Sequence, residues 1–367
     1  MKLQDFDYDL PADRIAQQPL PERDDSRMMV LDRRNKTVEH RHFYDLPDFL
    51  QSGDALIIND TKVLNVRLVG KKESGAKVEV LLVRPLQPGK DDPQTHGQEE
   101  KRIPCLEEMT GAWECLVKSS GTLHPSTLVF FENDLVGELG PKAPNGLWRL
   151  RLQGKEKLKN ILPRIGFPPL PPYIRRNGNP EMRARDLERY QTVYARNEGA
   201  IAAPTAGLHF TGELLGQIHQ KGVAVSPLTL HVGVGTFLPV REEEITRHRL
   251  EPEFFNVPRQ TAEAANTARA SGKRVVAVGT TVTRSLESSV DEYGKIQAQR
   301  GQTGLFITPG FPFRAIDGLV TNFHLPRSTL LMLVTAFAGR EYILSAYQEA
   351  IRENYRFYSY GDAMLIY

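Results

Sequence analysis

Three histidines define the chemistry open to this chain. His209, His231 and His324 lie in GLHFT, LHVGVGT and TNFHLPRST, where apolar runs break into polar residues. An imidazole changes charge near neutral pH, so histidines in such places suit proton transfer. On its own, His209 fits a loop hydrogen bond as well as a catalytic role. Around it, APTAGLHFT supplies Pro204, Gly207 and small alanines that let backbone approach a ligand closely. The HVGVGT stretch carries Gly233 and Gly235, whose N–H groups suit a ligand as readily as the glycines suit a strand bulge. It is not a dinucleotide fingerprint, because the third glycine is missing and Phe237-Leu238-Pro239 cannot open a helix. In AVGTTVTRSLES, Thr280 or Thr281 is placed to cap a helix with free first-turn N–H groups, and Arg284 follows one turn later. For that motif alone, a plain cap with a surface arginine is the simpler reading.

Side chains like these need elements to aim them. The run Leu319-Val320-Thr321 breaks at Asn322 and His324, Pro326 ends the strand, and Ser328 caps a helix from Thr329. That helix, TLLMLVTAFA, is apolar nearly all round and is predicted to be buried. Strand, polar elbow and buried helix form the unit that lines the crevice beyond the carboxyl ends of strands in open α/β sheets. Further strands are predicted near Met28–Asp32, Ala55–Ile58 and Val63–Val69, with Asn59-Asp60-Thr61 a polar break. From Leu158 onward strands and helices alternate, the pattern of an α/β sheet. Between 70 and 152 the texture changes to short strands separated by Gly, Pro and Asn turns, which suits a small antiparallel β-barrel. The expected fold is therefore α/β: a mixed-sheet main domain of residues 1–69 and 153–367, with an inserted barrel domain of residues 70–152. The polar stretch near 87–108 reads as a mobile surface loop.

Composition narrows the function classes. Lys plus Arg is 47 against 45 for Asp plus Glu, a net charge of +2, so the chain is no wholesale polycation. A local basic face is still enough for nucleic acid. Arg175, Arg176, Arg183 and Arg185, interleaved with Tyr173 and Tyr190 in a Pro/Gly-rich segment, hint at RNA binding, and Arg67 belongs to a further basic group. The two cysteines form no disulfide framework, the acidic N-terminus is no signal peptide, and no window reaches the apolar length of a membrane span. A cytoplasmic monomer, not held in a membrane, is expected. The scattered histidines lack zinc spacing, and there is no P-loop and no GxSxG elbow.

At these residues the chain resembles the S-adenosylmethionine:tRNA ribosyltransferase-isomerase family of queuosine biosynthesis. DFDYDLP, RDDSRMMVLDR, GDALIINDTKVLNVRL, PLPPYIRR, GAIAAPTAGLHFT, LHVGVGTFLPV, AVGTTVTRSLES, TNFHLPRSTLLMLVTAFAG and SYGDAML carry the resemblance nearly end to end. It implies an α/β domain with an inserted small barrel. It also implies that the ribosyl part of S-adenosylmethionine is moved onto the aminomethyl group of 7-aminomethyl-7-deazaguanine at the tRNA wobble position. The ribose rearranges to an epoxycyclopentanediol, and adenine and methionine leave. No metal or redox cofactor is implied; S-adenosylmethionine is consumed.

That reaction needs a base for a ribose 5′ proton, acidified by the adjacent sulfonium, and an acid for departing adenine. His209, His231 and His324 are the expected catalysts, with Asp60 and Tyr190 as further options, and the three imidazoles are expected to meet in one pocket. Pro204, Thr205, Gly207, Gly233, Gly235, Thr236 and Asn322 are expected to shape the nucleoside site. Arg284 with the Thr280–Thr281 cap is expected to meet the methionine carboxylate. Arg175, Arg176, Arg183, Arg185 and Arg67 are expected to face tRNA. Glu251 stands where the family pattern carries a second histidine after His248, so His248 is left out of the set. Two other classes fit parts of the sequence. A methyltransferase would share donor and partner, but the chain lacks a Gly-rich loop after its first strand; an RNA-binding structural protein would need no polar elbows.

Overall fold

The computed structural model describes residues 1–86, 111–176, 180–233, 235 and 242–367. The segment expected to be a mobile loop, 87–108, and the site residue Thr236 lie outside them. The chain divides into two compact units. One comprises Met1–Lys62, Pro171–Asn177 and Glu188–Tyr367; the other comprises Val63–Leu170 and Gly178–Leu187.

The larger unit is built on strands β1 (Arg27–Asp32), β2 (Thr37–His42), β3 (Ala55–Asn59) and, at its limit, the short β4 (Thr61–Val63). The second unit holds β5 (Arg67–Lys71), β6 (Lys77–Pro85), β7 (Ala112–Ser119), β8 (Leu128–Phe130), β9 (Val136–Lys142) and β10 (Trp148–Gln153), then helix α1 (Leu158–Ile165). Helix α2 (Pro180–Arg189) follows, then β11 (Asn197–Ala200), α3 (Gly212–Gln220) and β12 (Ala224–Leu230). The remainder is β13 (Glu253–Val257), α4 (Arg259–Ala270), β14 (Val275–Val278), α5 (Thr280–Glu287), β15 (Gln299–Thr303), β16 (Gly318–Asn322), α6 (Thr329–Ala338), α7 (Arg340–Arg352) and β17 (Ala363–Ile366).

Nine strands form one mixed sheet in the order β15-β13-β12-β3-β14-β16-β17-β1-β2. Its centre is four parallel neighbours, β12, β3, β14 and β16. β17 runs antiparallel to β16 and parallel to β1. The central strands are mostly apolar because both faces are covered: β3, β14 and β16 are buried at every position, with polar residues at the carboxyl ends of β3 and β16. Alternation decides which cover each side chain meets. Ala55, Ile57, Val275, Ala277 and Leu319 pack with Ala262 and Ala265 of α4, Val282 of α5 and Leu331 of α6. Leu56, Ile58, Val276, Val278 and Val320 pack with Phe43, Phe210 and Leu214 of α3 on the other face.

The capped helices form where the sequence places them. Thr211 Oγ1 accepts from Leu214 N (3.1 Å) to start α3, and Ser328 Oγ accepts from Leu331 N (3.2 Å) to start α6. At α5 the expectation fails. Gly279, at φ +92°, is the N-cap and no side chain caps the helix, so neither Thr280 nor Thr281 does that work. Helix α4 buries Thr261, Ala262, Ala265 and Ala268.

In the second unit six antiparallel strands close a barrel in the order β10-β7-β6-β5-β8-β9. Alternate residues fill it, among them Leu68, Val78, Val80, Leu82, Trp113, Cys115 and Leu150. Gly70 of β5 is a packing necessity: a Cβ there would lie 2.6 Å from Phe130 O and 2.8 Å from the Phe131 ring. The unit begins and ends outside 70–152, because β5 supplies a barrel strand and Arg67 pairs with Phe167 beyond α1. Among the described residues no single helix is long and apolar enough to cross a membrane.

Candidate active site at the carboxyl edge of the parallel strands

The carboxyl ends of the four central parallel strands carry about half of the polar side chains singled out in the larger unit. Leu230 ends β12 and His231 follows; Asn59 ends β3, before Asp60 and Thr61; Gly279 and Thr280 follow β14; Asn322 ends β16, before His324. The edge is thus shared, but the three imidazoles do not meet in one pocket. His231 and His324 stand three strands apart, about 14 Å at ordinary strand spacing. They also lie on different faces. His231 shares the parity of Thr229, whose hydroxyl donates to Asp60 (2.6 Å) on the α3 side. His324 Nε2 is paired with Thr321 Oγ1 (2.7 Å), whose parity with Leu319 places it on the α4–α7 side.

His209 and His324 are tied into the framework. His209, 4 % exposed, pairs with Ser26 Oγ through Nδ1 (2.7 Å) and with Asn322 Nδ2 through Nε2 (3.1 Å), and it stacks on Phe43. Asn322 Nδ2 donates also to Tyr358 O (3.2 Å), so the histidine accepts at Nε2 and donates at Nδ1. Burial, with Arg356 and Arg23 nearby, lowers the His209 pKa to about 3. Burial lowers that of His324 to about 3 as well. Both rings are neutral; His209 is held at both nitrogens and His324 at Nε2.

His231 differs. It is 7 % exposed, and its Nδ1 pairs with Thr61 Oγ1 (2.8 Å), but its Nε2 is buried without a hydrogen-bond partner. Burial lowers its pKa to about 4, so the ring is neutral at pH 7. Its backbone N donates to Phe254 O (3.0 Å) and its ring stacks on the Phe254 ring at 5.4 Å. Asn59 locks the junction beneath: Oδ1 accepts from Thr61 N (3.1 Å) and Leu230 N (3.0 Å), while Nδ2 donates to Leu230 O (3.0 Å) and Thr281 Oγ1 (3.2 Å).

The other expected catalysts are spoken for. The Asp60 carboxylate accepts from Thr229 Oγ1 and from Asn197 Nδ2 (2.9 Å), a bracing role beside His231. Tyr190 is 1 % exposed, and burial drives its ionisation far above the ordinary phenol range, which disqualifies it as a base at neutral pH.

Arg284 corrects the carboxylate expectation. It is a buried residue whose guanidinium pairs with Glu253 and donates to Leu305 O (2.9 Å) and Thr303 O (3.2 Å). Glu253 in turn accepts from Gly233 N (2.8 Å), so that N–H faces a carboxylate of the protein itself. Arg284 holds β13 and the loop after His231 in place. Gly207 is small for Tyr194, whose hydroxyl would lie 2.2 Å from a Cβ there, and Pro204 beside it is buried. Gly235 has open space around it, and Thr205, Thr280 and Thr281 stand at or near the strand edge.

Of the basic residues, Arg175 is exposed and Arg176 donates to Gln17 O (2.9 Å) in the larger unit. In the second unit Arg67 pairs with Glu79 (2.7 Å), Arg183 donates to Arg164 O and Gly166 O and lies over the Phe167 ring, and Arg185 is half-buried. Tyr173 and Tyr190 are no stacking platforms: Tyr173 bonds Ser359 (2.7 Å) and packs on Tyr358, and Tyr190 is core.

Sequence reading passed over Thr61, Asn197, Gly199 and Phe254, which build the surroundings of His231. It also passed over Arg23, Ser26, Ser359 and Tyr360, which line a narrow cleft with His209. The polar break after β3 was the available signal for Thr61. A larger cleft of about 600 Å³, lined by Arg33, Arg34, Arg269, Lys273 and Arg274, lies at the opposite edge of the sheet. Among the described residues, no three His, Cys, Asp or Glu side chains gather as metal ligands.

Comparison with known proteins agrees with this architecture. Residues 3–366 match the family described as queuosine biosynthesis protein. A relative from Syntrophotalea carbinolica is 49 % identical over 368 residues, covering 100 % of both chains, and one from Geotalea uraniireducens is 46 % identical with the same coverage. Both are named S-adenosylmethionine:tRNA ribosyltransferase-isomerase. A crystal structure of the S-adenosylmethionine tRNA ribosyltransferase from Thermotoga maritima aligns over 99 % of this chain and 100 % of its own, with 34 % identity and a TM-score of 0.52.

Proposed function

This chain belongs to the queuosine biosynthesis protein family, and on that footing we propose that it transfers and isomerises the ribosyl group of S-adenosylmethionine onto a tRNA base. The acceptor is the aminomethyl group of 7-aminomethyl-7-deazaguanine at the wobble position, and the product is epoxyqueuosine, with adenine and methionine released. S-adenosylmethionine is a consumed substrate, and no resident metal or redox cofactor takes part. The work is done in the cytoplasm, where tRNA is found, by a monomer.

The observation that carries the chemistry is the unpartnered Nε2 of His231, a buried neutral imidazole at the carboxyl edge of parallel strands. The sulfonium makes the ribose 5′ hydrogens acidic, and a neutral imidazole accepts one. His209 braces the edge, since both its ring nitrogens are bonded internally, and His324 is held at Nε2 by Thr321. The methionine carboxylate is left to the uncapped N–H groups at the start of α5 in place of Arg284. Thr205, Gly235, Thr236, Thr280, Thr281 and Asn322 remain proposed nucleoside neighbours, and Arg175, Arg176, Arg183, Arg185 and Arg67 remain proposed tRNA contacts.

The test is a split label. The enzyme is incubated with tRNA bearing the aminomethyl base and S-adenosylmethionine labelled in either the ribose or the methyl group. Ribose label should enter tRNA and methyl label should leave with methionine. Methyl label in tRNA would instead mark a methyltransferase.

A further inference from the structure

We propose that Thr61, Gly199 and Phe254 form a clamp that holds His231 in one tautomer, with the proton on Nδ1 and a bare lone pair on Nε2. The inference rests on the ribosyl-transfer reading for its catalytic meaning, but the clamp can be observed without turnover.

Three contacts build it. Thr61 Oγ1 lies 2.8 Å from His231 Nδ1 and 3.5 Å from Asn197 O. The carbonyl can only accept; we assign the hydroxyl proton to it, which leaves the hydroxyl oxygen to accept from Nδ1–H. With one ring proton assigned to Nδ1, the neutral imidazole has none on Nε2. The faces of the ring are also fixed. Phe254 stacks at 5.4 Å with a 21° tilt. From Gly199, a Cβ would lie 2.8 Å from Cε1, Nδ1 and Nε2 alike, and such equal distances place it over the ring plane. Gly199 has φ +152°, a conformation side chains rarely adopt, and Ile201 N donates to Val232 O (2.9 Å), which holds this segment alongside. The ring has no room to tilt.

Thr61 is itself held. It is fully buried, and its N donates to Asn59 Oδ1, which also binds Leu230 N. The hydroxyl position is therefore set by the ends of β3 and β12 together. In water a free imidazole favours the other tautomer, so the clamp has something to impose. Thr61, Gly199 and Phe254 are positioning residues; His231 Nε2 is the atom that receives the proton, leaving the electron pair on the carbon beside sulfur.

Long-range proton–nitrogen NMR on the full-length protein, with its histidines labelled with nitrogen-15, tests this directly. The His231 signals are assigned by their loss in His231→Gln. The free enzyme should show Nδ1 protonated and Nε2 bare. Thr61→Val should mix the tautomers and lower kcat for adenine release by about 10–100-fold, with the KM for S-adenosylmethionine unchanged; Thr61→Ser should restore both. A proton on Nε2 in the unaltered enzyme would overturn the proposal, and so would a Thr61→Val enzyme whose His231 stays wholly protonated on Nδ1. Should Thr61→Val not fold, the spectrum of the unaltered protein decides alone. If His231→Gln retains full activity while the spectrum is as expected, the catalytic reading fails and the clamp stands.

Discussion

At the residue scale, the three histidines differ in the partners their rings keep. His209 is bonded at both ring nitrogens, His324 at Nε2 by Thr321, and His231 at Nδ1 by Thr61, which leaves the His231 Nε2 buried without a partner. His231→Gln is therefore expected to lower adenine release by about 100-fold or more with the folded state intact, measured by chromatography alongside circular dichroism. Leucine at 209 or 324 should act first on stability, read from urea midpoints. All three histidines carry a pH signature. Their pKa values in the fold, about 3, 3 and 4, lie below the unfolded value of 6.5. Protons are thus bound more readily by the unfolded chain, so the stabilisation is present above pH 6.5 and is lost as pH falls toward 4. The loss is on the order of 3 kcal/mol for each ring by pH 4. Urea midpoints that stay flat from pH 7 to 4 would contradict buried neutral imidazoles.

At the element scale, strand ends make the site and buried pairs hold the strand ends. Arg284 of α5 and Glu253 of β13 are each 9 % exposed or less as side chains, and Gly233 N leans on the same carboxylate. Arg284→Met strands a buried charge and should cost about 3–5 kcal/mol, while Arg284→Met with Glu253→Gln together should cost less than the sum. Equal and additive losses in urea titrations would remove the pair from its bracing role. In the barrel, Gly70→Ala pushes a methyl toward Phe130 O and should cost about 1–3 kcal/mol. The sequence revealed much of this scale. Thr211 and Ser328 announced α3 and α6, and the change to short strands after residue 70 announced the barrel. It hid what depends on distant partners. Arg284 looks free in sequence because Glu253 lies 31 residues away and joins it only when β13 pairs with β12. Helix α4 looks exposed because alanines carry little hydropathy, yet their small size lets it lie close to the sheet.

At the scale of the whole molecule, the mixed sheet brings Asn59, His231, Thr280 and Asn322 to one edge from segments spread over more than two-thirds of the chain. That convergence was legible as a pattern of polar elbows after apolar runs. The spacing along the edge was not, because the order of strands is set by pairing and not by sequence; β3 sits between β12 and β14 although it comes first. The larger basic cleft lies at the opposite edge from the proposed chemistry. The most direct measurement is of deuterium at the ribose 5′ carbon of S-adenosylmethionine, in the presence of the modified tRNA. Deuterium should pass to solvent with the unaltered enzyme and stay in place with His231→Gln, which should still bind the substrate. Release at an undiminished rate by the His231→Gln enzyme would show that another group takes the proton.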